Sequence, residues 1–146
     1  MQVTKRNGET EDFSVEKIHK AVLWATGGLT GVSFSDIEMN ANLSLYDGIS
    51  TAEIHQILIK SANDLISKSA PNYQYAAARL LNMQLRKDVW GCDKPTDFLI
   101  FLERNVDNGI YDPYILDKWD NKTIGAFGNY INHNRDNSFT YAGLQQ

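Results

Sequence analysis

The chain has 146 residues, of which 42% are apolar and 22% charged, a composition typical of one globular domain with or without an appendage. Its net charge of -4 gives no overall attraction for nucleic acid or an anionic membrane, and no apolar run approaches the ~20 residues of a membrane span. The N-terminus lacks a signal-peptide pattern, and the single Cys92 excludes an intramolecular disulfide and a thiolate zinc site. We therefore expect a soluble, cytoplasmic protein.

The first element predicted along the chain is a short β-hairpin with arms at residues 3–6 and 10–13. Asn7-Gly8 is the dipeptide preferred in a two-residue turn whose central residues both have positive φ. In that register Arg6 and Glu11 share one face and Lys5 points to the other. Lys5 and Glu11 could then contact one ligand only at the hairpin edge, or if the register carries a bulge. A hairpin this small is marginal in water, so we expect other elements to cover it.

Four helices are predicted in the rest of the first 91 residues. Ser14 is a plausible N-cap for the first helix, which ends at Gly27-Gly28. A serine followed three residues later by glutamate, the capping-box pattern, places the starts of the second and third helices at Ser35 and Ser50. After a proline, the fourth helix is predicted over about residues 72–90.

The second part of the chain is predicted to be a helical segment with turns. A connector with Pro95 at its centre precedes a helix over residues 97–107 and a short helical piece over 114–119, and the tail 121–146 shows no pattern that assigns an element. The predicted fold is mainly α with a small β cap: a four-helix bundle covered by a hairpin over residues 1–91, then a helical linker over 92–146.

Catalytic and metal chemistry have no support in the sequence. The three histidines, His19, His55 and His133, fall in different predicted segments, without an HExxH pattern. Neither a GxGxxG nor a GxxxxGK[ST] phosphate loop is present. We expect no catalytic residues in this chain and no metal site built by its residues alone.

Polar side chains on the third and fourth helices predict a pocket beneath the hairpin. Thr51 and His55 are four residues apart on one helix and share a face, as do Met83 and Lys87 on the next, with Gln84 beside them. If the helix ends converge under the hairpin, these residues would surround one pocket together with Lys5, Arg6, Glu11 and Lys17. The cations suit phosphates, the hydroxyl and imidazole suit a sugar or base edge, and the Glu11 carboxylate suits a base amino group.

A plainer interpretation explains the same residues without a pocket. Isolated lysines on helices are mostly solvated, Thr51 could serve only to cap its helix, and His55 could be a core histidine whose hydrogen bonds are satisfied. Spacing alone leaves both interpretations open.

Four blocks of the chain, in order and at consistent spacing, resemble the N-terminal part of class I ribonucleotide reductase large subunits. They are VTKRNGETEDFSVEKIHKAVLWA, YDGISTAEIHQILIKSANDLIS, PNYQYAAARLLNMQLRKDVWG and HNRDNSFTYAGLQQ. The first three resemble the ATP-cone of that family, and the fourth resembles the stretch leading toward its catalytic barrel. The resemblance covers nearly the whole chain.

The resemblance implies a small helical bundle capped by a short β-sheet that binds ATP, which permits activity, or dATP, which suppresses it, commonly with magnesium. It implies that one side of the site consists of Val3, Lys5, Arg6, Glu11, Ser14, Lys17 and Ile18, and the other of Thr51, His55, Met83 and Lys87. The lysines and Arg6 would meet the phosphates. Glu11, Ile18 and Met83 would lie near the base, and His55 near the sugar. Gln84 replaces a frequent histidine and Ser14 a frequent asparagine, departures that bear on dATP inhibition.

The resemblance further implies an allosteric overall-activity domain of ribonucleoside-diphosphate reductase, without catalytic residues of its own and of bacterial or phage type. In the family, dATP favours an assembly in which the cone docks against the small radical-generating subunit or another large-subunit copy. Neither nucleic acid nor membrane is an expected partner. The alternative is a free-standing or degenerate cone that acts as a structural or interaction module. A regulator of transcription is disfavoured, because that cone-bearing family also carries a four-cysteine zinc ribbon.

Overall fold

The computed structural model describes residues 1–146 and confirms a mainly helical fold with a small β cap. Its elements are β1 (Gln2–Thr4), β2 (Thr10–Asp12), α1 (Val15–Thr26), α2 (Phe34–Asn42), α3 (Thr51–Asp64), α4 (Tyr73–Trp90), α5 (Phe98–Asp107), α6 (Tyr114–Lys118), α7 (Asn121–Tyr130) and α8 (Tyr141–Gln145), with a 3₁₀ helix at His133–Ser138. None of these helices combines the length and apolarity that crossing a membrane would require. Two compact units are present: residues 1–84 with 136–146, and residues 85–135.

The hairpin closes through a three-residue loop, so the predicted two-residue turn was wrong. The Gly8 N–H donates to the Lys5 carbonyl at 3.0 Å, and the Lys5 N–H donates to the Glu9 carbonyl at 2.7 Å. Only Gly8 in this loop has positive φ, at 86°. These features define a type I turn followed by a glycine bulge, the usual three-residue hairpin loop. The strands therefore pair Val3 with Glu11 and Thr4 with Thr10, one residue out of the predicted register.

The free edge of β1 is covered by the segment that leads into α3. The Thr4 N–H donates to the Ile49 carbonyl at 3.0 Å, and the Gly48 N–H donates to the Gln2 carbonyl at 2.9 Å. Thr4 also forms a parallel bridge with Ser50, the N-cap of α3. Because backbone groups on both sides of β1 are paired, the small hairpin gains the support that two strands alone lack.

Helices α1–α4 enclose the core of the first unit. Its largest fully buried side chains are Val22, Ile37, Ile49, Leu58 and Leu80. The Arg79 guanidinium on α4 donates to the carbonyls of Ala25 and Gly27 at 3.1 and 2.7 Å. Arg79 thereby pairs carbonyls at the C-terminal end of α1, which would otherwise lack intrahelical partners.

The helix starts agree with the predicted capping signals at one site and differ at another. Ser50 caps α3 with the complete capping box, since its hydroxyl accepts from the Glu53 N–H at 3.1 Å and the Glu53 carboxylate accepts from the Ser50 N–H at 3.0 Å. Helix α2 is capped by Ser33, and not by Ser35 as predicted. Both serines precede an acidic residue by three positions, and Ser33 is further held by the Tyr73 hydroxyl, which accepts from its N–H at 3.0 Å.

The second unit contains α5, α6 and α7. Asp97 begins α5 by accepting from the N–H groups of Leu99 and Ile100, close to the predicted start. Helix α7 lies in the tail, where the sequence assigned no element. It contains two glycines, which lower helix propensity, but Gly128 lies so close to Phe98 that a Cβ at position 128 would come within 2.8 Å of the Phe98 Cβ. The glycine thus permits α7 to pack against α5.

Alanine at the two glycines of α7 should have opposite effects on stability. Gly125 has open space around its Cβ position, so Gly125→Ala should raise the free energy of unfolding by about 0.5–1 kcal/mol. Gly128→Ala should lower it by about 1–3 kcal/mol, because the new methyl group overpacks against Phe98. Urea unfolding of the two variants measures both values, and a stabilising Gly128→Ala would contradict the close packing.

Candidate functional site

Two lysines and one glutamate form a charged cluster where the hairpin meets α1. The Lys17 Nζ lies 2.7 Å from one carboxylate oxygen of Glu11, and the Lys5 Nζ lies 3.4 Å from the other. Glu11 belongs to β2, Lys5 directly follows β1, and Lys17 lies in the first turn of α1. Each oxygen of the carboxylate therefore holds one ammonium group. We call these three residues the Lys5–Glu11–Lys17 cluster.

The hairpin register explains why Lys5 and Glu11 meet. Val3 pairs with Glu11, and Lys5 lies two residues beyond Val3, so all three side chains share one face. Val3 is only 3% exposed, which shows that this face points toward the core. The glycine bulge thus resolves the geometric objection that the two-residue turn raised against Lys5 and Glu11 sharing a ligand.

The cluster favours the charged form of Glu11. The hydrogen bond from Lys17 is the largest cause that lowers the pKa of the Glu11 carboxyl, with a smaller contribution from Lys5, while desolvation opposes both. Lys5 also lies 3.7 Å from Glu9, whose side chain is 67% exposed. The Lys17 and Lys5 side chains are 66% and 39% exposed against 24% for Glu11, so the carboxylate is the most sheltered member.

The third helix brings Thr51 and His55 to the same end of the bundle as the hairpin. Thr51 follows the N-cap Ser50, which is bridged to Thr4 of β1. His55 lies one turn later and is 5% exposed. Its Nε2 lies 2.8 Å from the Leu80 carbonyl of α4. Since a carbonyl only accepts hydrogen bonds, Nε2 carries the proton, and this bond links α3 to α4 within the core.

The fourth helix presents Met83 and Gln84 beside this end of α3. Met83 is 7% exposed and belongs to the buried residues of α4. The Gln84 Oε1 accepts from the Gln56 Nε2 at 2.8 Å, so one amide oxygen of the site is already oriented by a neighbour. Lys87 lies one turn beyond Met83 on α4, in the second compact unit.

The predicted residues thus fall into distinct environments. Lys5, Glu11 and Lys17 are in direct contact, and Ile18 is partly buried against the core. Val3 is itself part of the core, while Arg6 is exposed in the hairpin loop. Ser14 is the N-cap of α1, as predicted, but its hydroxyl makes no capping bond. Whether these side chains contact a ligand stays a prediction.

Two residues that contact the predicted set were missed by the sequence analysis. Glu9 pairs with Lys5 only in the observed register, so the wrong turn concealed it. Gln56 contacts Gln84 from the adjacent helix, and an exposed glutamine carries no signal in its sequence neighbourhood. The packing of α3 against α4, which the bond from His55 to the Leu80 carbonyl also bridges, brings the two amides together.

Comparison with known proteins identifies the family. The model of the ATP cone domain matches residues 1–88, which contain the hairpin and most of the four-helix bundle. The chain belongs to the ATP-cone family. Membership indicates a nucleotide effector, and the cone presents two ammonium groups, which are hydrogen-bond donors that suit the phosphate oxygens of a nucleotide.

Three relatives show where in longer proteins such a cone occurs. The chain is 41% identical over 144 residues to ribonucleoside-diphosphate reductase 1 subunit alpha of Escherichia coli (strain K12), covering 99% of the chain. It is 39% identical to the alpha subunit of Haemophilus influenzae and 38% identical to that of Enterobacteria phage T4, each over the whole chain. The matches lie at the N-terminus, and the chain spans 19% of the length of each relative.

Low pH should destabilise the folded cone, in part because Glu11 becomes protonated. Its pKa is lowered on folding, so its stabilisation is present at neutral pH and is lost as the pH falls through the folded-state pKa. We expect the free energy of unfolding to fall less steeply between about pH 5 and about pH 3 in Glu11→Gln than in the parent chain. Urea unfolding across this range measures the difference, and parallel profiles would show that the lysines do not hold the carboxylate.

Proposed function

We propose that this chain is the allosteric overall-activity domain of a ribonucleoside-diphosphate reductase, with a cone that binds ATP or dATP. The observation that carries the proposal is the convergence of Lys5 and Lys17 on Glu11, in a chain similar to reductase alpha subunits. The hairpin that holds this cluster is bridged to the N-cap of α3. The conversion of ribonucleotides to deoxyribonucleotides would belong to the remainder of such a subunit. We assign the cone to residues 1–91 and a helical linker to residues 92–146.

The proposed phosphate contacts come from the cations at the hairpin side of the cone. Lys5 and Lys17 have flexible, partly exposed side chains that can turn from Glu11 toward phosphate oxygens. Arg6 and Lys87 are assigned to the same phosphates, with Ser14 beside them. Magnesium is proposed to enter with the nucleotide, because Mg²⁺ keeps several waters and is commonly held through substrate phosphates.

The proposed sugar and base contacts come from the more buried side of the site. His55 and Thr51 are assigned to the sugar, where ATP and dATP differ by one hydroxyl group. The His55 Nε2 donates to the Leu80 carbonyl, so discrimination by this residue would act through the position and shape of its ring. Ile18 and Met83 supply apolar surface for the base, and the polar residues assigned to the base edge are Glu11 and Gln84. Val3 supports them from the core.

Regulation would follow from a difference in affinity between two states of the whole subunit. A nucleotide shifts an equilibrium only by as much as it binds one state more tightly than the other. We propose that dATP, if it inhibits, favours an assembly of the cone with the small radical-generating subunit or with another large-subunit copy. The proposed location is the cytoplasm of a bacterium, or of the host if the protein is of phage origin.

Removal of Lys17 should weaken binding of both nucleotides. A charged hydrogen bond to phosphate contributes about 1.5–3 kcal/mol, so Lys17→Ala should raise the Kd of ATP about tenfold or more. Lys60→Ala is the matched control, because Lys60 also pairs with a carboxylate, Asp64 at 2.9 Å, but on an exposed helix face. Isothermal titration calorimetry with magnesium present should show a control within about twofold of the parent chain.

The same titration separates the proposal from its alternative. Equal loss of affinity in both lysine variants would contradict a phosphate site at the cluster. If a folded sample shows no heat of binding and no thermal stabilisation with ATP or dATP, the result would instead favour a degenerate cone. Such a cone would serve as a structural or interaction module.

A further inference from the structure

Glu11 occupies the place between two ammonium groups that an anionic ligand would take. Its two carboxylate oxygens are 2.7 Å from the Lys17 Nζ and 3.4 Å from the Lys5 Nζ. A phosphate group offers the same arrangement of two or more oxygens on one central atom. Any phosphate that binds these lysines must therefore compete with Glu11 for them, or accept its negative charge nearby.

Of the three charged groups in the cluster, the Glu11 carboxylate is the most sheltered. Glu11 lies within β2, paired with Val3 of β1, and its side chain is only 24% exposed. The two lysine side chains are more exposed and have long flexible stems. The lysines can therefore turn toward a ligand, whereas Glu11 stays at the hairpin and continues to repel it.

We propose that Glu11 is a specificity-determining residue whose carboxylate makes the Lys5–Lys17 pair reject inorganic polyphosphate and accept nucleotides. The inference rests on the proposed nucleotide site. A free polyphosphate gains only the contacts of the cations, and it loses the ion pairs that Glu11 held. A nucleotide meets the same cost but gains further contacts through its sugar and base, including a hydrogen bond from a base amino group to the Glu11 carboxylate. Such discrimination through a repulsive group is a general route to specificity.

The test is titration of the whole 146-residue chain with inorganic tripolyphosphate and with ATP, at low ionic strength and fixed magnesium. Removal of two partly exposed ion pairs and one repulsive charge should make Glu11→Gln bind tripolyphosphate about three- to thirtyfold more tightly than the parent chain. Affinity for ATP should change less or fall, so the preference for ATP over tripolyphosphate should shrink.

Glu9→Gln is the matched control for net charge. It removes one negative charge from the same hairpin, but Glu9 pairs with Lys5 alone of the two lysines, at 3.7 Å, accepts from the Asn7 Nδ2 at 2.9 Å, and is 67% exposed. The control should change tripolyphosphate affinity less than about twofold. Glu11→Ala, which removes the side-chain oxygens altogether, should repeat the effect of Glu11→Gln and guards against a folding defect in one variant. Circular dichroism confirms that each variant is folded.

The outcomes separate this inference from the proposed function. Tighter tripolyphosphate binding by both Glu11 variants, together with a smaller preference for ATP over tripolyphosphate, supports the inference. A parent chain that binds neither ATP nor dATP overturns the proposed function and the inference together. Unchanged tripolyphosphate affinity in both Glu11 variants, or an equal gain in Glu9→Gln, overturns the inference, while ATP binding by the parent chain would leave the proposed function intact.

Discussion

The pairing of Val3 with Glu11 determines the geometry of the candidate site. Because side chains alternate across a strand, a shift of one residue would move Lys5 to the opposite face and separate it from Glu11. The same register leaves the outer edge of β1 free to bond the segment before α3. One backbone arrangement thus joins the charged hairpin face to α1 through Lys17 and to α3 through Ser50.

The two sides of the candidate site differ in how firmly their side chains are held. The side chains from α3 and α4 are packed, whereas those at the hairpin are partly exposed. His55 and Met83 lie within the packed interface of α3 and α4, and the bond from His55 to the Leu80 carbonyl fixes the imidazole. The lysines, in contrast, are held by ion pairs near water, which are weak and exchange readily. The proposed nucleotide site would therefore combine a packed wall for sugar and base with cations that rearrange around phosphates.

Most of the helices could be predicted from sequence, because their signals are local. The capping box at Ser50 and the helix that ends at Trp90 needed no tertiary information. The hairpin register could not be predicted, since Asn7-Gly8 fits both a two-residue turn and a type I turn with a glycine bulge. Burial of Val3 and the bond from Thr4 to Ile49 select the second, and both depend on residues distant in sequence. Helix α7 was not predicted because its glycines lower helix propensity, and the close approach of Gly128 to Phe98 is visible only in the folded chain.

The chemistry of the site was easier to predict than its geometry. Residue types indicated cations and a carboxylate suited to a nucleotide, but only the fold brings Glu11 between the lysines and Gln56 against Gln84. An exposed glutamine and a glutamate beside a turn have no distinctive sequence pattern. Their roles follow from register and helix alignment, which are properties of the packed chain.

The most direct test of this account is a nuclear Overhauser measurement of the hairpin register in solution. Thr4 and Thr10 form a non-hydrogen-bonded pair, the closely spaced kind in an antiparallel ladder, so a strong cross-peak between their Hα atoms is predicted. A strong cross-peak between the Hα atoms of Lys5 and Thr10 would instead indicate the two-residue turn. Lys5 and Glu11 would then lie on opposite faces, and the shared cluster on which the site depends would not exist.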